Sequence, residues 1–385
     1  MEKTFKHTEV EARLLKKWEE TNSFRAGVHS KKSSGFPFSI VIPPPNVTGN
    51  LHMGHAFNNT IQDILVRWHR MRGFDTLWQP GQDHAGIATQ MVVERDLEKK
   101  EGVSRDEIGR EKFLEKIWEW KAQSGGMIIE QLKRLGASCD WERNRFTMDK
   151  DFQNSVLTAF VKMYEMGYIY KGERLVNWDP HFKTAISDLE VENIEVDGYF
   201  WHIKYPLKNE ENYDYIEQDE NGKISFKDNR NYISIATTRP ETMLGDGAIA
   251  VHPDDKRYKN IIGKEVIIPI ANRAIPIIAD EYPDPNFGSG AVKITGAHDF
   301  NDYSVAKKHK LDFFKLMDES ACLLNEDFIP KKYRGLERFK AREILVEELD
   351  KAGFLLKIEQ KKIIQPFGDR SKVVVEPFLT KQWFV

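Results

Sequence analysis

An open α/β sheet interrupted by a mainly β insertion is the fold class this sequence predicts, and three observations predict it. The first is a strand, helix, strand succession over residues 38–42, 54–72 and Asp75–Gln79. A helix lying between two such strands marks a right-handed parallel crossover. The second is a change of texture beyond about residue 194, where pieces rich in Val, Ile, Tyr and Phe alternate with turn clusters such as Asn221-Gly222 and Asp284-Pro285-Asn286. The third is composition: 385 residues, 40% hydrophobic and 30% charged, suffice for two or three domains with their own cores and are unlike a disordered or membrane chain.

Charge and cysteine usage narrow the class further. Lys+Arg 57 against Asp+Glu 60 leaves a net charge of -3, so any nucleic-acid contact must come from a local basic patch. Cys139 and Cys322 are far apart and have no Cys-x-x-Cys partner, which argues against a disulfide framework and against a structural zinc. A reducing cytoplasm fits. Residues 1–22 read as neither a secretory signal nor a transit peptide, and no apolar run approaches a membrane span, so no membrane partner is expected.

In chain order, Thr8 with Glu11 three residues on opens an amphipathic helix carrying Val10, Leu14, Leu15 and Trp18. Residues 31–35 form a small polar link. The strand over 38–42 must end at Pro43, Pro44 and Pro45, because proline continues neither a ladder nor a helix interior. A helix then carries Ile61, Ile64, Leu65, Trp68 and Met71 and closes at Gly73. His52 and His55 sit three apart on its first turn, beside backbone N–H groups without intrahelical partners, where a phosphate binds best. Two imidazoles there can stabilise charge developing on a phosphate chain, and Gly54 lets a bulky ligand approach. On spacing alone the pair also reads as a solvated helix start, or as two metal ligands joined by His84 in a zinc hydrolase.

The whole string from Ile42 to His55, Ile-Pro-Pro-Pro-Asn-Val-Thr-Gly-Asn-Leu-His-Met-Gly-His, resembles the first signature of class I aminoacyl-tRNA synthetases in its valine-specific form. The resemblance implies a Rossmann-like catalytic domain in which Thr48, His52, Gly54 and His55 bind ATP, brought in with Mg²⁺, and His52 and His55 act on its phosphates. Gly81-Gln82-Asp83-His84-Ala85-Gly86 falls just past the second strand, at the edge where doubly wound sheets bind ligands. Asp83 reads equally as the receiver of an α-ammonium or as a turn aspartate. The string on to Gln90 resembles the same family, which implies that Pro44, Asn46 and Asp83 contact the amino acid.

Residues 104–167 read as helices, in pieces ending near Gly136 and Gly167, with Trp118, Trp120 and Trp141 as packing. Residues 175–180 resemble the point at which the family's chain leaves the catalytic sheet for an inserted domain. In the insertion, Thr237, Thr238, Arg239 and Thr242 follow one strand, while Lys293 and Thr295 lie on another that leads to Asp299 and Asp302. Two acids three apart share a helix face: one can hold an ammonium while the other orients water, or both can simply start a helix. Thr-Thr-Arg-Pro-Glu-Thr followed by Ala-His-Asp-Phe-Asn-Asp resembles the family's editing domain, which implies a hydrolytic pocket at these positions with Asp302 catalytic.

The expected organisation is a helical extension over 1–36, the first half of the catalytic domain over 37–193, a barrel-type editing domain over 194–353 and a return segment over 354–385. No second signature of the Lys-Met-Ser-Lys-Ser kind follows, and the chain stops at Gln382-Trp383-Phe384-Val385, so a cut in mid-domain and no valine activation by the chain alone are expected. The implied parent is a monomeric cytoplasmic enzyme that joins valine to tRNA(Val) with ATP and hydrolyses threonyl-tRNA(Val). A deacylase without activation, or a noncatalytic tRNA-binding remnant, are the alternatives.

Overall fold

The computed structural model describes residues 6–28, 36–218 and 223–385, and the chain divides into two compact units, 1–168 and 169–385. The link at 31–35 and the Asn221-Gly222 turn lie outside the described residues.

In the first unit α1 (His7–Glu20) begins one residue ahead of Thr8, with Lys6 rather than Thr8 at its N-cap. β1 (Pro37–Val41), α2 (Met53–Met71) and β2 (Asp75–Gln79) follow as the hydrophobic pattern predicts. β1 and β2 pair in parallel from Pro37↔Asp75 to Val41↔Gln79. Ile42, Val66, Trp78, Ile128, Leu132 and Cys139 close the core around them. β3 (Gly81–Gln82) leads into α3 (Ile87–Glu101), which the sequence reading missed because its apolar positions Met91, Val93 and Leu97 are interspersed with charges and Gly86 enters it at φ 47°. After α4 (Arg105–Ile108), capped reciprocally by Ser104 and Glu107, comes α5 (Arg110–Leu135). It is one helix of 26 residues where two pieces were expected. Gly125 does not break it, because Gln82 Nε2 donates to its carbonyl at 2.6 Å. β4 (Arg145–Phe146) pairs in parallel with β3, and α6 (Lys150–Glu165) ends the unit.

The second unit is mostly antiparallel. Its early strands are β5 (Tyr170–Asp179), β6 (Thr184–Ile186), β7 (Val191–Pro206), β8 (Tyr213–Gln218), β9 (Ile224–Arg230) and β10 (Tyr232–Thr237). Then come β11 (Ala248–Val251), β12 (Glu265–Ile268), β13 (Arg273–Ala279), β14 (Ala291–Ile294), α7 (Phe300–Lys308), α8 (Arg338–Lys351), β15 (Leu355–Gly368) and β16 (Glu376–Phe384). They form sheets ordered β10-β7-β15, β12-β13-β11-β14 and β16-β5-β6, with β8-β9 as a hairpin. Only β11 and β13 run parallel in this unit among the described residues. Alternation explains β10, whose Ile233, Ile235 and Thr237 are buried, whereas β11 is buried on both faces. Residues 373–375, expected as strand, contribute only the bridge Val374↔Phe367. The fold is thus α/β, with parallel pairing in the first unit and several antiparallel strands in the second.

Two candidate functional sites

The first site grows from the loop that the prolines create. Val47 N donates to Asp83 O at 3.0 Å and Asp83 N to Pro45 O at 2.9 Å, so the Pro-Pro-Pro-Asn loop and the Gly-Gln-Asp-His loop run side by side through the Asn46↔Asp83 bridge. Trp120 Nε1 donates to Val47 O at 2.8 Å, which gives this tryptophan a holding role beyond packing. Where the loop enters α2, His52 is the N-cap and its Nδ1 accepts from Gly54 N at 3.1 Å. His55 Nδ1 accepts from His52 N at 3.3 Å, and the two rings stand 4.0 Å apart. This is a capping box built from histidines.

An imidazole whose Nδ1 accepts carries its single neutral-form proton on Nε2. Both rings therefore carry Nε2–H donors at the start of α2, where the helix dipole favours an anion, while their Nδ1 atoms cap the Gly54 and His52 amides. Burial, and then the neighbouring His52, push the His55 pKa below its ordinary value, which favours this neutral form. The cap itself also favours glycine at Gly54, since a Cβ there would meet His52 Cε1 at 2.9 Å. Thr48 lies in the turn before the helix, partly buried, and Pro44 is exposed.

Asp83 is half-exposed, and its Oδ1 accepts from Ala85 N at 2.9 Å and Thr147 Oγ1 at 3.4 Å. Its Oδ2 takes no hydrogen bond among the described residues, which leaves one carboxylate oxygen for a cation. Thr147 was not anticipated; the parallel pairing of β4 with β3 brings it here from 64 residues away. His84 Nδ1 lies 2.6 Å from the same Thr147 hydroxyl. Among the described residues no three His, Cys, Asp or Glu side chains gather as a metal centre, so His84 does not join the other two histidines as a ligand set.

The second site is a buried cluster where β14 meets the turn at Pro240–Gly245. Lys293 Nζ donates to Thr242 Oγ1 at 2.8 Å, Thr295 Oγ1 at 2.5 Å and Asp246 Oδ1 at 3.3 Å. Thr295 Oγ1 donates to Asp246 Oδ1 at 2.6 Å, and Thr295 N donates to Asp302 Oδ2 at 2.8 Å. Burial raises the Asp302 pKa to about 7; Lys293 opposes the shift, and Asp299 and Asp246 add to it. A carboxyl that can gain and lose a proton near neutrality thus sits behind an ammonium and two hydroxyls. Asp299 is the exposed N-cap of α7, its Oδ1 accepting from Asn301 N and Asp302 N.

Thr237 Oγ1 accepts from Arg239 N at 3.0 Å, and Arg239 O accepts from Thr242 Oγ1 at 2.9 Å, so the motif before the turn is wired into the cluster. The Arg239 guanidinium turns elsewhere, to both oxygens of Glu376 at 2.8 and 2.6 Å and to Glu241 at 3.2 Å. Arg338 and Arg342 complete that network on the same two glutamates. A cleft of about 480 Å³ opens beside it, lined in part by Thr238, Arg239, Asp299, Phe300, Phe339 and Arg342. The eight anticipated residues thus divide into a buried cluster and a cleft wall. Asp246 and Glu376 escaped the sequence reading because their contacts span up to 137 residues, and Glu241, though inside the quoted motif and two residues from Arg239, because its other partner, Arg342, lies 101 residues away.

A family model described as tRNA synthetases class I (I, L, M and V) matches residues 13–385. Curated proteins named Valine--tRNA ligase are 54% identical in Ruegeria pomeroyi, 57% in Cereibacter sphaeroides and 53% in Rhizobium meliloti, each alignment spanning 100% of this chain. The chain spans 44%, 40% and 42% of those proteins, about two-fifths of their length. A crystal structure of a LeuRS-tRNA-LeuAMS ternary complex from Agrobacterium radiobacter is similar at 17% identity and a TM-score of 0.42, over 94% of this chain and 48% of that one. With the signature loop, its histidine cap and the family match running together over the same residues, the chain belongs to the class I tRNA synthetases.

Proposed function

We propose that this chain supplies two sites of an enzyme that attaches valine to tRNA(Val) with ATP: part of the activation site in its first unit, and a hydrolytic site for threonyl-tRNA(Val) in its second. The observation that carries the reading is the histidine capping box, whose Nδ1 acceptors leave two Nε2–H donors at the start of α2, in the same unit as Asp83, a carboxylate with one unengaged oxygen held in the loop paired with the signature loop. In this scheme Asp83 Oδ2, with Pro44 and Asn46, holds the valine ammonium while the valine carboxylate attacks the α-phosphorus of ATP. Pyrophosphate leaves, and His52 and His55 donate to the phosphate oxygens as their charge grows. Thr48 and Gly54 shape the ATP site, and Mg²⁺ enters as the counter-ion of the nucleotide.

The second site answers a limit of the first. A pocket shaped for isopropyl rejects threonine poorly, and the discrimination already established for valine enzymes is about 10². At the β-rich unit, Asp302 as carboxylate takes a proton from water; the oxygen attacks the ester carbonyl, the ester C–O bond breaks and the proton passes to the ribose oxygen. Thr238 and Asp299 on the cleft wall are offered to a threonine hydroxyl, and a valine side chain would leave them without that partner, while Thr237, Thr242 and Thr295 spend their hydroxyls holding the cluster together. The expected editing barrel over 194–353 and a monomeric, cytoplasmic parent belong to the same reading.

Valine-dependent ATP–pyrophosphate exchange and release of threonine from threonyl-tRNA(Val) test the two halves separately. Asp302→Ala is expected to abolish threonine release, and unchanged release refutes the second assignment. Replacing His52 and His55 by Ala in a protein that contains this chain is expected to lower exchange at least 10²-fold.

A further inference from the structure

Asp246 is fully buried, and the valine-specific motifs assign it nothing. It follows the six-residue turn Pro240–Gly245, every residue of which is buried, so its position is set by backbone packing. Its Oδ2 accepts from Tyr205 Oη at 2.8 Å, and its Oδ1 from Thr295 Oγ1 and Lys293 Nζ at 2.6 and 3.3 Å. A buried carboxylate is costly unless donors surround it, and here three donors do. Two of the three belong to the hydrolytic cluster.

The ion pairing is equally informative. Among the described residues the Lys293 ammonium pairs with Asp246 and not with Asp302. Its three protons meet Thr242, Thr295 and Asp246, while among the described residues the Asp302 carboxyl accepts only from the amide of Thr295, through Oδ2. Asp302 is therefore faced by Lys293 and the Thr295 amide from β14, by Asp246 from the turn, by Asp299 from its own helix cap and by Tyr282 from the loop after β13.

We propose that Asp246, oriented by the Tyr205 hydroxyl, is a positioning residue of the hydrolytic site: it anchors Lys293 and Thr295 and keeps the ammonium from pairing with Asp302. Asp302 is thereby left as the group that exchanges protons with water during hydrolysis. The inference rests on the hydrolytic reading of this cluster. Its consequence is directional: without the Asp246 charge, Lys293 turns to Asp302 and a repelling neighbour is lost, and both changes favour the Asp302 carboxylate.

The test uses Asp246→Asn and Tyr205→Phe in this chain, with threonyl-tRNA(Val) as substrate and kcat and KM followed from about pH 5.5 to about 8.5. Asp246→Asn is expected to lower kcat roughly tenfold or more, to leave KM within about twofold, and to move the rising limb of the pH profile about one unit to acid. Tyr205→Phe, which keeps the ring, is expected to shift the limb the same way by less. A loss of kcat with the limb unmoved in both variants overturns the proposal, because a purely structural role predicts that pattern. The Asp302 carboxyl, followed by ¹³C NMR and assigned by its disappearance in Asp302→Asn, gives a readout without substrate. Its titration should move to lower pH in Asp246→Asn, and an unmoved titration also overturns the proposal. If the unsubstituted chain releases no threonine, the hydrolytic reading fails by itself, while the carboxyl titration still decides what Asp246 does.

Discussion

A capping imidazole can accept through Nδ1 or carry a proton there, and the two states exclude each other. In His55 the folded pKa lies below its ordinary value of 6.5, chiefly through burial and then through His52. A depressed folded pKa contributes stability above the unfolded value, and that contribution is lost as pH falls through the folded one. The first turn of α2 should therefore loosen below about pH 6.5. The protection factor of the His52 amide, whose N–H is capped by that ring, should fall there, and a protection factor that does not change with pH would remove the capping argument. His55→Ala should cost about 1 kcal/mol in denaturant unfolding from the lost cap. Asp302 has the opposite sign: its folded pKa of about 7 exceeds the unfolded carboxylate value of about 3.9. Its contribution is complete below the unfolded value and is lost as pH rises through the folded one. Asp302→Asn should therefore stabilise on the order of 2 kcal/mol more at about pH 8 than at about pH 5, while abolishing hydrolysis. Equal thermal shifts at both pH values would count against the buried carboxyl. The positions of His52, His55, Asp83 and Asp302 were legible because their motifs are local. The Nδ1 caps, Thr147, Asp246 and Tyr205 were not, because ring orientation and contacts across 41 to 64 residues leave no trace in spacing.

Elements built on glycine differ in how much room their neighbours can give. Gly245 ends the buried turn, and a Cβ there would meet Leu316 Cγ at 2.8 Å and Phe314 O at 2.9 Å. Backbone cannot rotate away, and the same segment places Leu316 N on His298 Nε2 at 2.8 Å. Gly125 inside α5 meets only the end of the Gln82 side chain, at 3.0 Å. Gly245→Ala should therefore cost roughly 2 kcal/mol or more in urea unfolding and slow threonine release by displacing Asp246. Gly125→Ala should be nearly neutral, since alanine's helix preference of about 1 kcal/mol offsets a small adjustment of Gln82. Similar costs for the two would refute this account. At this scale β1, α2, β2 and β10 were legible from periodicity. α3 was not, because the charges around Met91, Val93 and Leu97 hide its buried positions. The continuity of α5 through two adjacent glycines was hidden too, since Gly125 is packed by a residue 43 positions away.

At the scale of the molecule, each core cluster draws its buried residues from one unit: Ile42 to Cys139 and Val93 to Phe113 in the first, Ile203 to Leu349 and Ala248 to Ala306 in the second. The strand ladders divide in the same way, since β1 to β4 pair among themselves and β5 to β16 among themselves. A unit that owns its core and its ladders should fold by itself. The larger cluster, with Tyr205, Tyr258, Tyr333 and many aliphatic side chains almost fully buried, predicts that residues 169–385 are the more stable half. These residues also contain every member of the proposed hydrolytic cluster, Tyr205 and Asp246 included, whereas His52, His55 and Asp83 all lie in 1–168. Residues 169–385 produced alone should therefore give a dispersed amide spectrum and one cooperative unfolding transition. They should also release threonine from threonyl-tRNA(Val) with the same pH dependence as the whole chain, because the groups that set the Asp302 titration come with them. Weak capture of the tRNA backbone should raise KM and make it strongly salt-dependent, while kcat stays within a few-fold. A folded 169–385 whose pH profile differs from that of the whole chain would mean that groups in 1–168 tune the hydrolytic carboxyl, and the assignment of that site to the second unit alone would fall.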